Sequence, residues 1–133
     1  MENKIIYEYC ILRYVADIER EEFINVGLMM MSKRQRWMRC ELHIDSSRIT
    51  ALSAKADIER LRTQLSVFTR NDVPSADITV EERYRWLAAV KSAIIQTSPS
   101  HPGLILTESP LSRNEAVTLL DAKFTELLRR LVL

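Results

Sequence analysis

Six polar or charged residues within the short stretch 83–101 have the chemistry of an anion-binding site. They are Arg83, Lys91, Ser92, Gln96, Ser98 and His101. Cationic groups that donate hydrogen bonds, together with hydroxyl and amide groups, match several oxygens of a phosphate or carboxylate at once. Trp86 adds an aromatic side chain to the same stretch. The pattern indicates a binding or adaptor module with an anion- or partner-binding surface around Arg83–His101.

His101 has neighbours that favour a more specific role. Pro99 and Pro102 flank it and predict a restricted loop, Ser98–Gly103, that would hold the imidazole as a positioned donor or base. A hydrolytic site would also need a nucleophile beside that base and an acid to orient it. The pattern places no aspartate for that purpose. A small enzyme acting on a phosphorylated or nucleotide-like substrate, through His101 with Lys91 or Arg83, is therefore the alternative.

The same residues also have a purely structural interpretation, because buried polar groups need hydrogen-bond partners whether or not a ligand binds. In that interpretation Gln96, Ser98 and His101 hold loop backbone. Arg83 then pairs with a carboxylate such as Glu22. Two residues of an earlier motif, Glu22 and Asn25, are further candidates, since a sheet would bring them towards the same place. The ligand-binding and the structural interpretations both stay open.

Composition indicates an ordinary globular chain. Its 133 residues suit one domain, 1–133. The 19 basic and 18 acidic residues give a net charge of +1, so no global field directs the protein to nucleic acid or membrane. No apolar stretch suits a signal or membrane-spanning segment, and we expect a cytoplasmic protein.

Cofactor and metal sites are not predicted. The chain has only two glycines, too few for a glycine-rich phosphate loop. Its two histidines are far apart and it lacks a Cys-x-x-Cys motif, so we expect no metal. Cys10 and Cys40 lie in strand-like apolar runs and are interpreted as buried core thiols.

A second basic cluster follows the second predicted strand. It comprises Lys33, Arg34, Arg36 and Arg39, with Trp37 interleaved. Such a cluster can follow a phosphate backbone, but a solvated hairpin tip that guards a sheet edge explains it as well. Nucleic acid is therefore not the expected partner. An exposed edge or the methionine-rich segment 29–31 makes a homodimer conceivable.

The hydrophobic pattern predicts an α+β fold, an antiparallel sheet packed with three to four helices. Three long strands form a meander, one or two short strands follow, and capping signals mark the helices. The predicted strands are 4–15, 23–31, 37–44, 92–97 and 104–107, and the helices are 46–52, 57–68, 79–90 and one from Ser112. The first strand is apolar on both sides and should be covered on both faces. In the third predicted strand, the alternation of apolar and polar residues places Trp37 and Arg39 towards solvent.

Two segments, YEYCILRYVADIEREEFINVG and EERYRWLAAVKSAIIQTSPSHPGL, resemble the bacterial domain-of-unknown-function family 3037. The residues that carry the resemblance are Tyr7, Tyr9, Glu22, Phe23, Asn25, Val26, Gly27, Arg83, Trp86, Ser92, Ile94, Gln96, Ser98, Pro99, His101 and Gly103. Lys91 departs from the family pattern, where an arginine is usual. The resemblance implies a small cytoplasmic bacterial protein without an established activity. Family genes often lie beside those of HipA-type kinase-like proteins, which implies a protein partner of that kind.

Overall fold

The longest strand, β1 (Lys4–Asp17), lies at the centre of one antiparallel sheet. On one side it pairs with β2 (Glu22–Ser32), which in turn pairs with β3 (Trp37–Leu42). On the other side it pairs with β4 (Ile95–Thr97) and β5 (His101–Leu106). This computed structural model describes residues 3–89 and 92–133. The predicted α+β fold, with a meander and two short strands, is confirmed.

The helices begin where side-chain caps satisfy the first backbone N–H groups. Their bounds are α1 (Ser46–Leu52), α2 (Ile58–Leu65), α3 (Val80–Ala88) and α4 (Arg113–Leu131). The capping boxes predicted at Thr79 and Ser112 are both present. At α1 the cap is Asp45, whose carboxylate accepts the N–H of Arg48. None of these helices in the described residues has the length and apolar character that crossing a membrane requires.

Each face of the sheet carries its own hydrophobic cluster. Cys10, Leu12 and Tyr14 of β1 pack with residues of α2 and α3 on one face. Ile5 and Tyr7 pack with α4 on the other. The alternation of side chains along a strand sends neighbouring residues to opposite faces, so β1 is buried on both. The predicted double coverage of the central strand is therefore confirmed.

The face of the sheet covered by α4 explains why the side-chain orientations predicted for β3 were wrong. Trp37 was expected to face solvent but is 8% exposed, because α4 covers the face towards which it points. Arg39 lies over the Phe124 ring of α4 at 4.4 Å. The methionines 29–31 are at most 1% exposed and fill the two cores, so this segment presents no surface to a second copy of the chain.

The segment Ser98–Gly103 is only in part the loop predicted from its two prolines: residues 98–100 have no regular structure, but β5 begins at His101. The Thr107 N–H donates to the Asn3 carbonyl at 2.8 Å, and Lys4 is opposite Leu106. Because hydrogen-bonded pairs alternate along an antiparallel ladder, the backbone of residue 102 points away from β1. A proline there removes no hydrogen bond, so the strand continues through it.

Gly103 permits the close approach of a ring from the neighbouring strand. It is opposite Tyr7 in the register, and a Cβ at position 103 would collide with the Tyr7 ring, which is 5% exposed. We expect Gly103→Ala to lower the free energy of unfolding by about 1–3 kcal/mol, measured by urea denaturation, because a packed ring must move. Leu104→Ala is the control, since Leu104 is half exposed. Equal losses in the two variants would contradict this explanation.

Candidate anion-binding site

Arg83 projects from α3 and fastens the preceding loop. Its Nε donates to the Val73 carbonyl at 3.2 Å and its Nη2 to the Ser75 carbonyl at 3.4 Å. The expected carboxylate partner, Glu22, instead forms an ion pair with Arg20 at 3.1 Å. Arg20 lies in the turn that leads into β2, so that local pair forms without any tertiary contact. The predicted pairing of Arg83 with Glu22 is wrong.

Arg83 also lines a cleft of about 290 Å³, which we call the arginine cleft. The described residues that line it are Arg36, Trp37, Met38, Arg39, Cys40, Phe68, Thr69, Arg70, Asn71, Val80 and Arg83. They come from the β2–β3 turn, from β3, from the segment after α2 and from α3. The lining in the described chain thus includes four arginines and no acidic residue. The cleft unites a predicted site residue, Arg83, with part of the predicted basic cluster.

The four arginines differ in how their charge is balanced. Arg39 bonds to Glu41 at 2.6 Å and to Asp121 at 3.3 Å, so its charge is already compensated. Arg70 holds Asp72 with two hydrogen bonds of 2.9 and 2.8 Å. That bond raises the pKa of Arg70 and lowers the pKa of Asp72.

Arg36 and Arg83 are the uncompensated members. Among the described residues, no carboxylate lies within ion-pair distance of either guanidinium. In the described chain Arg83 donates only to neutral carbonyls, although its charge helps to lower the pKa of the nearby Asp72, and the exposed Arg36 guanidinium bonds to no described residue. The cleft therefore retains excess positive charge that an incoming anion would neutralise.

Gln96 and Ser98 bind the backbone, as the structural interpretation expected, and Ser92 does so as well. Ser98 Oγ accepts the Ile11 N–H at 2.8 Å and donates to the Pro99 carbonyl at 3.0 Å. Ser92 Oγ accepts the Ile94 N–H at 3.1 Å. Gln96 Nε2 donates to the Ala93 carbonyl at 3.2 Å. These bonds shape the chain between α3 and β5.

The other predicted site residues lie apart from Arg83. The His101 ring is 5.2 Å from the Tyr9 ring, which packs on the α4 side of the sheet. Trp86 is 37% exposed on α3, where Tyr84 and Leu87 are the buried residues. Trp86 therefore lies outside the buried side of α3. Val90 and Lys91 lie outside the described residues.

Asn25 and Gln96 meet around an arginine that the sequence did not single out. Both are directly opposite Arg13 in the register, one on β2 and the other on β4. Directly opposed residues share a face, and Asn25 Nδ2 donates to the Leu131 carbonyl of α4 at 2.8 Å. This row is therefore on the α4 face, whereas α3, with Arg83, packs on the other. The sheet separates the two groups.

Sequence reasoning also missed a polar network at the junction of α3 with the sheet. Arg85 forms a two-fold ion pair with Glu8, one bond being 2.8 Å long. Ser100 Oγ donates to Glu8 at 3.0 Å and contacts the Tyr84 hydroxyl at 2.7 Å. The arrangement ties α3 to the kink between β4 and β5. No local spacing in the sequence could reveal it, since its parts are about 75 and 90 residues apart.

The thiols and the acidic groups offer no reactive or metal-binding centre in the described chain. Burial raises the pKa of Cys10 to about 11 and that of Cys40 to about 12, so both stay protonated near neutral pH. Both are free cysteines, and Cys10 is fully buried. Residues 3–89 and 92–133 contain no cluster of three histidine, cysteine or acidic side chains suited to a metal ion.

Comparison with known proteins gives one match. The model of the family described as "Protein of unknown function (DUF3037)" matches residues 9–131. No curated protein and no solved structure matches the chain. The match spans the β1–β2 motif, the arginine cleft and the β4–β5 segment.

The Glu8–Arg85 pair gives stability a defined pH dependence. The hydrogen bond from Arg85, assisted by that from Ser100, lowers the pKa of Glu8 although burial opposes this. A carboxyl whose folded-state pKa is depressed stabilises the fold above its unfolded pKa, about 4.3, and loses that effect as the pH falls through the folded pKa. We expect Glu8→Gln to lower the free energy of unfolding by about 1 kcal/mol near pH 7. In urea titrations the deficit should shrink progressively as the pH falls below about 4.3 and through the lower folded-state pKa.

The exposed pair of Arg70 and Asp72 supplies the control for this experiment. Asp72→Asn removes a carboxylate that also pairs with an arginine but is open to water. Its effect on the free energy of unfolding should therefore be small at every pH. A Glu8→Gln deficit that stays constant from pH 7 to pH 3 would show that the charge of Glu8 is not its source.

Proposed function

We propose that this chain, which belongs to the DUF3037 family of proteins of unknown function, is a binding module that recognises an anionic group in the arginine cleft. The group we favour is a phosphate carried by a partner molecule. The observation that carries the proposal is the lining itself, with four arginines and no acidic residue in the described chain. On a chain of net charge +1, such a local excess does not follow from composition.

The chemistry of the cleft suits phosphate oxygens. Guanidinium groups present planar, paired donors that match the spacing of phosphate or carboxylate oxygens. Arg83 is held by two carbonyl groups, so its orientation is largely fixed before any ligand arrives. The exposed Asn71 side chain adds a neutral donor at the same cleft, whereas the Thr69 hydroxyl donates to the Ser66 carbonyl at 3.0 Å. Apolar walls, including the buried Phe68, limit competition by water.

The backbone at Arg36 supports the same proposal. Its φ of 49° lies in the left-handed region, where glycine and asparagine are favoured and a long side chain is uncommon. An arginine in that conformation is less stable than a glycine would be. Retention of a cation at this position is explained if its guanidinium binds a ligand, since it bonds to no described residue.

The size of the cleft indicates which part of a ligand it holds. About 290 Å³ is at the small end of the range for sites that enclose a whole small molecule, about 300–1,000 Å³. A phosphorylated side chain or the terminal phosphate of a nucleotide fits this space, with the rest of the ligand outside. We favour a phosphorylated partner protein, which agrees with the adaptor role expected from the sequence. Turnover of such a substrate is the alternative.

The test uses inorganic phosphate, pyrophosphate and a phosphoserine peptide as probes of binding by calorimetry. We expect the peptide to bind the wild type, with an affinity that falls as salt rises. Arg36→Gly should weaken binding about tenfold or more, since a hydrogen bond to a charged group is worth about 1.5–3 kcal/mol. The same variant should match or exceed the stability of the wild type because it relieves the left-handed backbone. Loss of binding then cannot be attributed to unfolding.

The control residue is Arg60, an exposed arginine of α2 outside the cleft. It is replaced by alanine, because a glycine would disturb the helix. Arg60→Ala changes the net charge equally and should leave the affinity unchanged. Phosphate release from the peptide is measured in parallel, and turnover would favour the enzymatic alternative. If Arg36→Gly and Arg60→Ala bind the peptide as well as the wild type does, the arginine cleft is not the site.

A further inference from the structure

Arg13 is a half-buried cation in the middle of β1. None of its three guanidinium nitrogens bonds to another described residue, and no carboxylate of the described chain lies within ion-pair distance of it. Its Nε is shielded from solvent and has no partner. A shielded N–H without a partner is unfavourable, so the Nε of this half-buried arginine does not stabilise the fold through a hydrogen bond.

The surroundings of Arg13 leave a second polar atom unpaired. Asn25, directly opposite on β2, uses its Nδ2 to bind the last turn of α4, while its Oδ1 is shielded and has no partner in the described chain. A β-bulge separates this pair from the preceding one, Leu12 opposite Gly27. Bulges commonly redirect side chains next to functional sites.

An open groove of about 380 Å³ lies beside the guanidinium. We call it the Arg13 groove, and its lining is Arg13, Val15, Ile18, Glu21, Phe23 and Gln96. The Arg13 guanidinium lies over the Phe23 ring at 4.3 Å. Phe23 is 43% exposed and Ile18 is 54% exposed, so large apolar surfaces flank the cation. The groove combines one unpaired cation with an apolar wall.

We propose that the Arg13 groove binds a small apolar monocarboxylate. The terminal nitrogens of Arg13 offer two parallel donors, the arrangement that a carboxylate accepts. The ring of Phe23 and the side chain of Ile18 receive the apolar part of the ligand. Glu21 stands at the same groove and disfavours a second negative charge, so a dicarboxylate binds less well. The exposed Gln96, the register partner of Arg13 on β4, adds an amide to the lining.

This site is independent of the phosphate site proposed above. The Arg13 groove and the arginine cleft share no lining residue. They also differ in the ligand they favour, because the groove has one uncompensated arginine beside exposed apolar side chains. A variant in one site therefore leaves the other as an internal control, and either proposal can fail alone.

The experiment measures binding of 3-phenylpropionate and 4-methylpentanoate to the full chain by calorimetry. We expect both to bind, and the corresponding amides and glutarate to bind at least about tenfold more weakly, since one charge-assisted hydrogen bond accounts for such a factor. Arg13→Met should weaken the two carboxylates by a similar factor. Its melting temperature without ligand should equal or exceed that of the wild type, because an unpaired cation is replaced by an apolar chain of similar length.

Arg60→Met is the matched control and should bind both carboxylates like the wild type. Arg36→Gly should do the same, which separates this site from the arginine cleft. Undiminished binding of the carboxylates to Arg13→Met would overturn the proposal, as would equal binding of acids and amides. A melting temperature of ligand-free Arg13→Met below that of the wild type would overturn the premise of the proposal, that Arg13 has no partner in the free protein.

Discussion

The structure depends on the pairing of β1 along both of its edges. This strand of 14 residues binds β2 on one side and, on the other, β4 and β5 in succession. Both faces of β1 are also covered by hydrophobic clusters. Most backbone and side-chain directions of the central strand are thus occupied, although Ile6 is 48% exposed. Polar groups placed on it, such as Glu8 and Arg13, must find partners in a crowded setting or remain unsatisfied.

The two kinds of polar group on β1 illustrate this constraint. Glu8 is compensated by Arg85 and Ser100, which come from α3 and from the kink between β4 and β5. Arg13 has no such partner in the described chain and stacks on Phe23 instead. The first arrangement joins elements of the fold. The arrangement at Arg13 leaves a charge free for a ligand. Substitution of Arg13 should therefore weaken ligand binding without lowering the stability of the fold.

The kink between β4 and β5 is held by Ser98, whose hydroxyl and N–H both bond to the backbone of Ile11. This lets one edge of β1 be covered by two short strands instead of one long one. Beyond the kink, β5 remains the outer strand, and Pro102 places no N–H on its free side. A proline at that position hinders pairing with another strand, a common protection of sheet edges.

The sequence by itself determined the types of most elements and the double coverage of β1, because hydrophobic periodicity and capping residues are local signals. The family came from the resemblance of two motif segments, which the match over residues 9–131 bears out. The sequence also marked Arg83, Asn25 and Gln96 as residues of interest. Only the tertiary structure decided which of them meet. Strand register sets Asn25 and Gln96 on either side of Arg13, and the intervening sheet separates them from Arg83. Such contacts join residues far apart in the chain, so no spacing rule encodes them. The burial of Trp37 has the same origin, since only the packing of α4 on the second face removes it from solvent.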